Sequence, residues 1–167
     1  MAVMYEHYPV AGSTIAELRR ATMLLGPTRE GRTFPAYTDW QIEWSLAPTA
    51  LAQGWVPGEL AVQLRAVVTL PRWHAPTSVP AGLVTEWAQH IHELEEHEQG
   101  HVAIAVEAAH VLRETLLVIG PCPSADALRS LAVAEADTVL AQARADDLAY
   151  DRAAAESGRV DPPAERG

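Results

Sequence analysis

Residues 93–107 read ELEEHEQGHVAIAVE. They contain His97-Glu98-Gln99-Gly100-His101, which fits the pattern His-Glu-x-x-His. They lie in a run, residues 80–119, whose only interior glycines are Gly82 and Gly100. The apolar period across that run is helical. At about 100° per residue, His97 and His101 fall within about 60° of Leu94, in one stripe with Trp87, Ile91 and Leu112. Glu95, Glu96 and His92 fall on the other face.

Two imidazoles on an apolar face need partners, because an unsatisfied buried polar group costs about 1–3 kcal/mol. Residues four apart are neighbours on a helix, so one zinc ion held by His97 and His101 satisfies both rings. Glu98 falls beside the pair, placed to take a proton from an attacking water and pass it to a leaving group. The competing reading is a pair of core histidines hydrogen-bonded to carboxylates.

Working outward, the run is preceded by a different pattern. Residues 37–46 alternate, with Trp40, Ile42, Trp44 and Leu46 on one face and Asp39, Gln41, Glu43 and Ser45 on the other. Residues 59–70 alternate again through Leu60, Val62, Leu64, Ala66, Val68 and Leu70. Both read as strands. The GWVPG stretch between them reads as a turn, and Pro71 as the stop of the second strand. Residues 3–10 read as a short strand. A helix follows, with Thr14 and Glu17 at capping-box spacing and Gly26-Pro27 at its end. Beyond Gly120-Pro121, Ser124 can cap a second long helix over about residues 125–155. The aromatics Trp40, Trp44, Trp73 and Trp87 read as core. The fold class is α+β, expected as one domain over residues 1–156 with a flexible tail at 157–167.

Composition narrows the function. The 167 residues carry a net charge of −10, and all 12 basic residues are Arg. An acidic chain without a basic cluster argues against nucleic acid and against an anionic membrane as partner. The single cysteine, Cys122, cannot form an internal disulfide and reads as structural. No segment reaches the ~20 apolar residues of a membrane span. The N-terminus lacks the pattern of a signal peptide, so a cytoplasmic location is expected.

A catalytic zinc needs a third protein ligand. His90 shares the apolar face but lies about 10 Å along the axis from His97. Glu107 and His110 point away. A hairpin of the two long helices about residues 120–123 brings Asp147 and Asp151 near the pair. Tyr150 beside them is a candidate donor to a developing oxyanion, or a packing residue.

Several pieces resemble a known family. They are YPVAGSTIAELRRAT, GPTREGRTFPAYTDWQIEWSL, VVTLPRW, HEQGH and, more weakly, YDRAAAES. In this order they resemble the bacterial DUF922 family, described as predicted secreted zinc-dependent proteases of the zincin-like superfamily. The resemblance implies a minimal zincin-like fold. In it a small antiparallel sheet of about three strands packs against an N-terminal helix and two long C-terminal helices. Family members tend to end in Tyr-Asp-x-x-Thr-x-His-Gly. In this chain Ala154 stands at the Thr position and Glu156 at the His position. Zinc accepts a carboxylate in place of an imidazole. On that resemblance Glu156 is the expected third ligand, with Asp151 or Asp147 as the geometric alternatives.

The leading expectation is a zinc-dependent hydrolase, a metalloprotease with Glu98 and Tyr150 as catalytic residues. Its peptide would lie along an edge strand, at 59–70 or 37–46. The alternatives are a zinc enzyme acting on a small molecule and a non-catalytic zinc-binding module.

Overall fold

Alternating side chains make strands because successive residues of an extended chain face opposite ways, and a 3.6-residue period makes helices. The computed structural model describes residues 1–157 and the backbone of residues 164–165. The elements follow as β1 (Ala2–Val10), α1 (Ile15–Leu25), β2 (Thr28–Arg29) and β3 (Arg32–Thr33). Then come β4 (Tyr37–Leu51), β5 (Gly54–Trp73), α2 (Ala81–Leu117), α3 (Ala125–Glu156) and β6 (Ala164–Glu165). The class is α+β, as expected. The tail expected from residue 157 lies largely outside the described residues. Within it, β6 pairs antiparallel with β3.

The main sheet has the order β1-β5-β4. β4 and β5 are joined by two residues, so they run antiparallel. Backbone N–H of His74 donates to Val10 C=O at 2.9 Å, which brings the C-terminal ends of β5 and β1 together. An antiparallel β1 would run off the end of β5 from that point, so the sheet is mixed rather than wholly antiparallel. Two further expectations are corrected. The GWVPG stretch is strand, and the turn lies at Ala52-Gln53. A proline costs a strand one ladder donor but its φ suits extended backbone, so neither Pro57 nor Pro71 ends β5. The strand at residues 59–70 is central in the sheet order, although β1, with 9 residues against the 20 of β5, flanks only its C-terminal part. The edges are β4 and β1.

The chain divides into two compact units, one of residues 3–39, 66–102 and 150–167, the other of residues 1–2, 40–65 and 103–149. In the first, α1 begins as the sequence suggests. Thr14 accepts from Glu17 N–H at 3.2 Å, and the Glu17 carboxylate accepts from Ser13 N–H at 2.7 Å. The cap satisfies backbone donors that the first turn leaves open. The core of this unit gathers Val10, Leu18, Leu83 and Trp87, with Tyr8, Ile15, Trp73 and Ile91 against them. Trp73 meets Trp87 edge-on at 6.2 Å. A short hairpin, β2 to β3, turns at Glu30 and Gly31, both at positive φ. That pair of dihedrals matches the right-handed twist of the strands it joins.

In the second unit Leu112, Leu116, Leu128, Ala132 and Ala136 are buried. The connection between the helices is tied to β5, with Trp55 and Cys122 exchanging two backbone hydrogen bonds of 2.8 Å. Gly54 permits this approach. Its φ is +132°, and a Cβ there would come 2.7 Å from Cys122 C=O. Cys122 is buried, in keeping with a structural role. Trp40 is held by α3 residues. The Arg144 guanidinium lies 3.3 Å from its ring centroid and donates to its C=O at 2.8 Å. The Trp40 indole N–H donates to Asp147 at 3.2 Å.

Candidate metal centre

The inward stripe of α2 runs through Leu83, Trp87, His90, Leu94, Glu98, His101, Ala105, Ala108, Leu112 and Leu116. These follow the three- and four-residue steps of a helix against a core. Three of the ten are polar, and two of those belong to the His-Glu-x-x-His motif. His97 is slightly off the stripe centre, but its side chain is only 10% exposed and that of His101 8%. Glu98 is 3% exposed.

The third member of the cluster comes from α3. His97 Nε2 lies 3.1 Å from Asp151 Oδ1, and His101 Nε2 lies 2.9 Å from the same oxygen. The two Nε2 atoms are 3.2 Å apart. The three donors therefore form a nearly equilateral triangle. Ligands of a tetrahedral zinc at about 2.0–2.1 Å stand about 3.3 Å from one another, so the triangle fits one face of such a site. Two imidazoles and one carboxylate match the protein donor types found at catalytic zinc sites. The Asp151 side chain is 45% exposed, so solvent reaches the cluster on that side.

Of the three acidic candidates, Asp151 alone joins this group among the described residues. Glu156 lies exposed in the last turn of α3, outside the triangle. Asp147 is engaged with Trp40. A hairpin count that places residue 99 opposite about 144 assumes aligned helices of equal rise. In the structure residue 100 faces Tyr150, several residues further along α3. His90 is buried with its ring 5.6 Å from that of Trp87. Glu107 and His110 are exposed.

Tyr150 stacks on His97 at 4.9 Å with 12° between the planes, and meets His101 edge-on at 5.1 Å. Its ring rests over Gly100, where a Cβ would overlap the phenol and stand 2.6 Å from Cε1. The glycine inside the motif thus makes room for the ring. Beside it, Gln99 donates to the Tyr5 hydroxyl on β1.

Glu98 is held from β4. The Thr38 hydroxyl lies 2.6 Å from Glu98 Oε2. Sequence reasoning passed over Thr38, yet the signal was present. It has the same parity along the strand as Trp40 and Ile42, so it is a hydroxyl on an inward face.

Burial raises the Glu98 carboxyl above its ordinary value, against the Thr38 hydrogen bond and the charges of His101 and His97, which lower it. Asp151 goes the other way. Its partial burial raises it, but hydrogen bonds from His101 and His97, with their charges, outweigh that and hold it well below the usual carboxylate range. Two neighbouring carboxyls are thus pushed in opposite directions.

A family model described as a bacterial protein of unknown function, DUF922, matches residues 5–158. The chain belongs to this family. The match spans every residue of the cluster, from Thr38 to Asp151. Among curated proteins and among solved structures nothing matches the chain significantly. No helix among the described residues is long and apolar enough to cross a membrane.

Proposed function

We propose that this DUF922 chain is a zinc-dependent hydrolase that cleaves peptide bonds. The observation that carries the reading is the triangle of His97, His101 and Asp151 donors beside a buried glutamate. His97, His101 and Asp151 would hold the ion. Zinc, when bound, supplies Lewis acidity, which acidifies water and polarises a carbonyl. Glu98 takes the proton from the attacking water and passes it to the leaving group. Tyr150 holds the His97 ring by stacking and the His101 ring by an edge-on contact. The resemblance to predicted zinc-dependent proteases supports a peptide substrate.

The test is Glu98→Gln. Elemental analysis should find one zinc per chain in the wild type and in the variant, and cleavage of labelled casein should disappear in the variant. Stoichiometric zinc without casein cleavage in the wild type would move the reading to a small-molecule substrate or a binding module. Absence of zinc would return the histidines to a hydrogen-bonded core cluster.

A further inference from the structure

Thr38 occupies an inward position on β4 that its neighbours of equal parity, Trp40 and Ile42, fill with apolar side chains. It is buried, and so is the carboxylate it meets. The hydroxyl oxygen lies 2.6 Å from Glu98 Oε2 and 3.3 Å from Glu98 C=O. A hydroxyl has one proton to give. The shorter contact, to a group that can be anionic, takes it.

We propose that Thr38 is a positioning residue for Glu98. Resting on the reading of Glu98 as the base, the inference is that the Thr38 hydroxyl occupies Oε2 and locks the carboxylate plane. Oε1 is then the oxygen left to accept the water proton. A glutamate side chain otherwise turns freely about its last bond, because that torsion is broad and roughly two-fold. Without an anchor, the reacting oxygen is found in place only part of the time. A base must lie within about 3 Å of the proton it takes, so a rotated carboxylate is inactive however well the metal is held. The anchor sits on the sheet and the base on the helix, 60 residues apart in the chain. Their meeting is therefore a property of the folded site and not of the helix motif.

Thr38→Val keeps the β-branched shape and removes the hydroxyl, and Thr38→Ser restores the hydroxyl without the methyl. Two measurements decide the matter. Crystal structures of the metal-free variants should show the Glu98 carboxylate rotated in Thr38→Val and kept on the residue 38 hydroxyl in Thr38→Ser. Visible spectra of the cobalt-loaded proteins report hydrogen bonding around the ion. Thr38→Val should shift the bands in the direction that Glu98→Gln does, and Thr38→Ser should overlay the wild type. All the variants should bind one cobalt with unchanged affinity. A Glu98 carboxylate that stays in place in Thr38→Val, or a Thr38→Val spectrum identical to the wild type while Glu98→Gln shifts it, would overturn the inference. If Glu98→Gln itself leaves the spectrum unchanged, Glu98 does not face the ion. The proposed base then fails on its own account, and the crystal structures still decide whether Thr38 orients the side chain. Should Thr38→Val not fold, Thr38→Ala replaces it with the same expectations.

Discussion

Gly100→Ala sets two effects against each other. In the interior of a helix, alanine is favoured over glycine by about 0.8–1.0 kcal/mol. On an open helix face the substitution would simply stabilise the protein. Here the new methyl meets Tyr150, with Cε1 2.6 Å from the Cβ position. Carbon atoms rest at about 3.5–4.0 Å, so the ring must retreat by about 1 Å. That weakens its contacts with His97 and His101, and aromatic pairs contribute about 0.5–1.5 kcal/mol beyond their area. The gain and the loss are of one size, so the melting temperature of the metal-free protein should move by no more than about 3 °C. Metal binding should not be spared. Asp151 follows Tyr150 directly, and a ligand set tolerates about 0.5 Å of displacement. Zinc affinity, measured by competition with a chromophoric chelator, should fall at least about tenfold, or about 1.4 kcal/mol. In a Tyr150→Ala background the obstacle is gone, and Gly100→Ala should then yield the full propensity gain. Were Gly100→Ala to stabilise the wild-type protein by that full amount, with zinc affinity intact, the packing of Tyr150 on Gly100 would be refuted.

Asp151→Asn should lower zinc affinity by at least about tenfold in the same competition assay, whereas Asp147→Asn and Glu156→Gln should leave it unchanged. Metal-free Glu98→Gln should be more stable than the wild type at pH 7, because it removes a buried carboxylate whose pKa is raised mainly by burial. The wild type bears that penalty above the unfolded value of about 4.3, so the gap in melting temperature should close as pH falls toward about 4. Asp151 has the opposite sign. Its folded value is depressed, so its contribution is complete above the unfolded value of about 3.9 and is lost as pH drops below it. Metal-free wild type should therefore lose stability below about pH 4 more steeply than Asp151→Asn in thermal melts across that range. Arg144→Ala should destabilise the protein by about 1–2 kcal/mol in urea, since the guanidinium both covers the Trp40 ring and donates to its C=O.

The strands and the long helices were legible because their signals are local. Residues 37–46 alternate, and Asp39, Gln41, Glu43 and Ser45 are exposed while Thr38, Trp40 and Ile42 are buried. The caps at Thr14 and Ser124 were readable for the same reason, as each acts within three residues of itself. The sheet's edges were not. Whether β5 is an edge depends on where β1 lies, and that strand is separated from it by α1, the β2–β3 hairpin and β4. The turn before β5 was misplaced because Pro57 and Gly58 carry turn propensity that the ladder overrides.

The sequence by itself determined half of the candidate centre. Two histidines four residues apart on an apolar stripe converge wherever a helix forms, because 3.6 residues make a turn. It also named the Tyr-Asp pair, within the terminal piece that resembles the family. Tertiary structure decided which acidic residue completes the triangle. Asp147, Asp151 and Glu156 lie within three turns of one helix and have similar chemistry, so only the crossing of α3 over Gly100 separates them. It also decided that a hydroxyl from a strand holds the glutamate, since residues 38 and 98 have no relation until the sheet and the helix pack. Periodicity fixes direction within an element, and packing between elements fixes which directions meet.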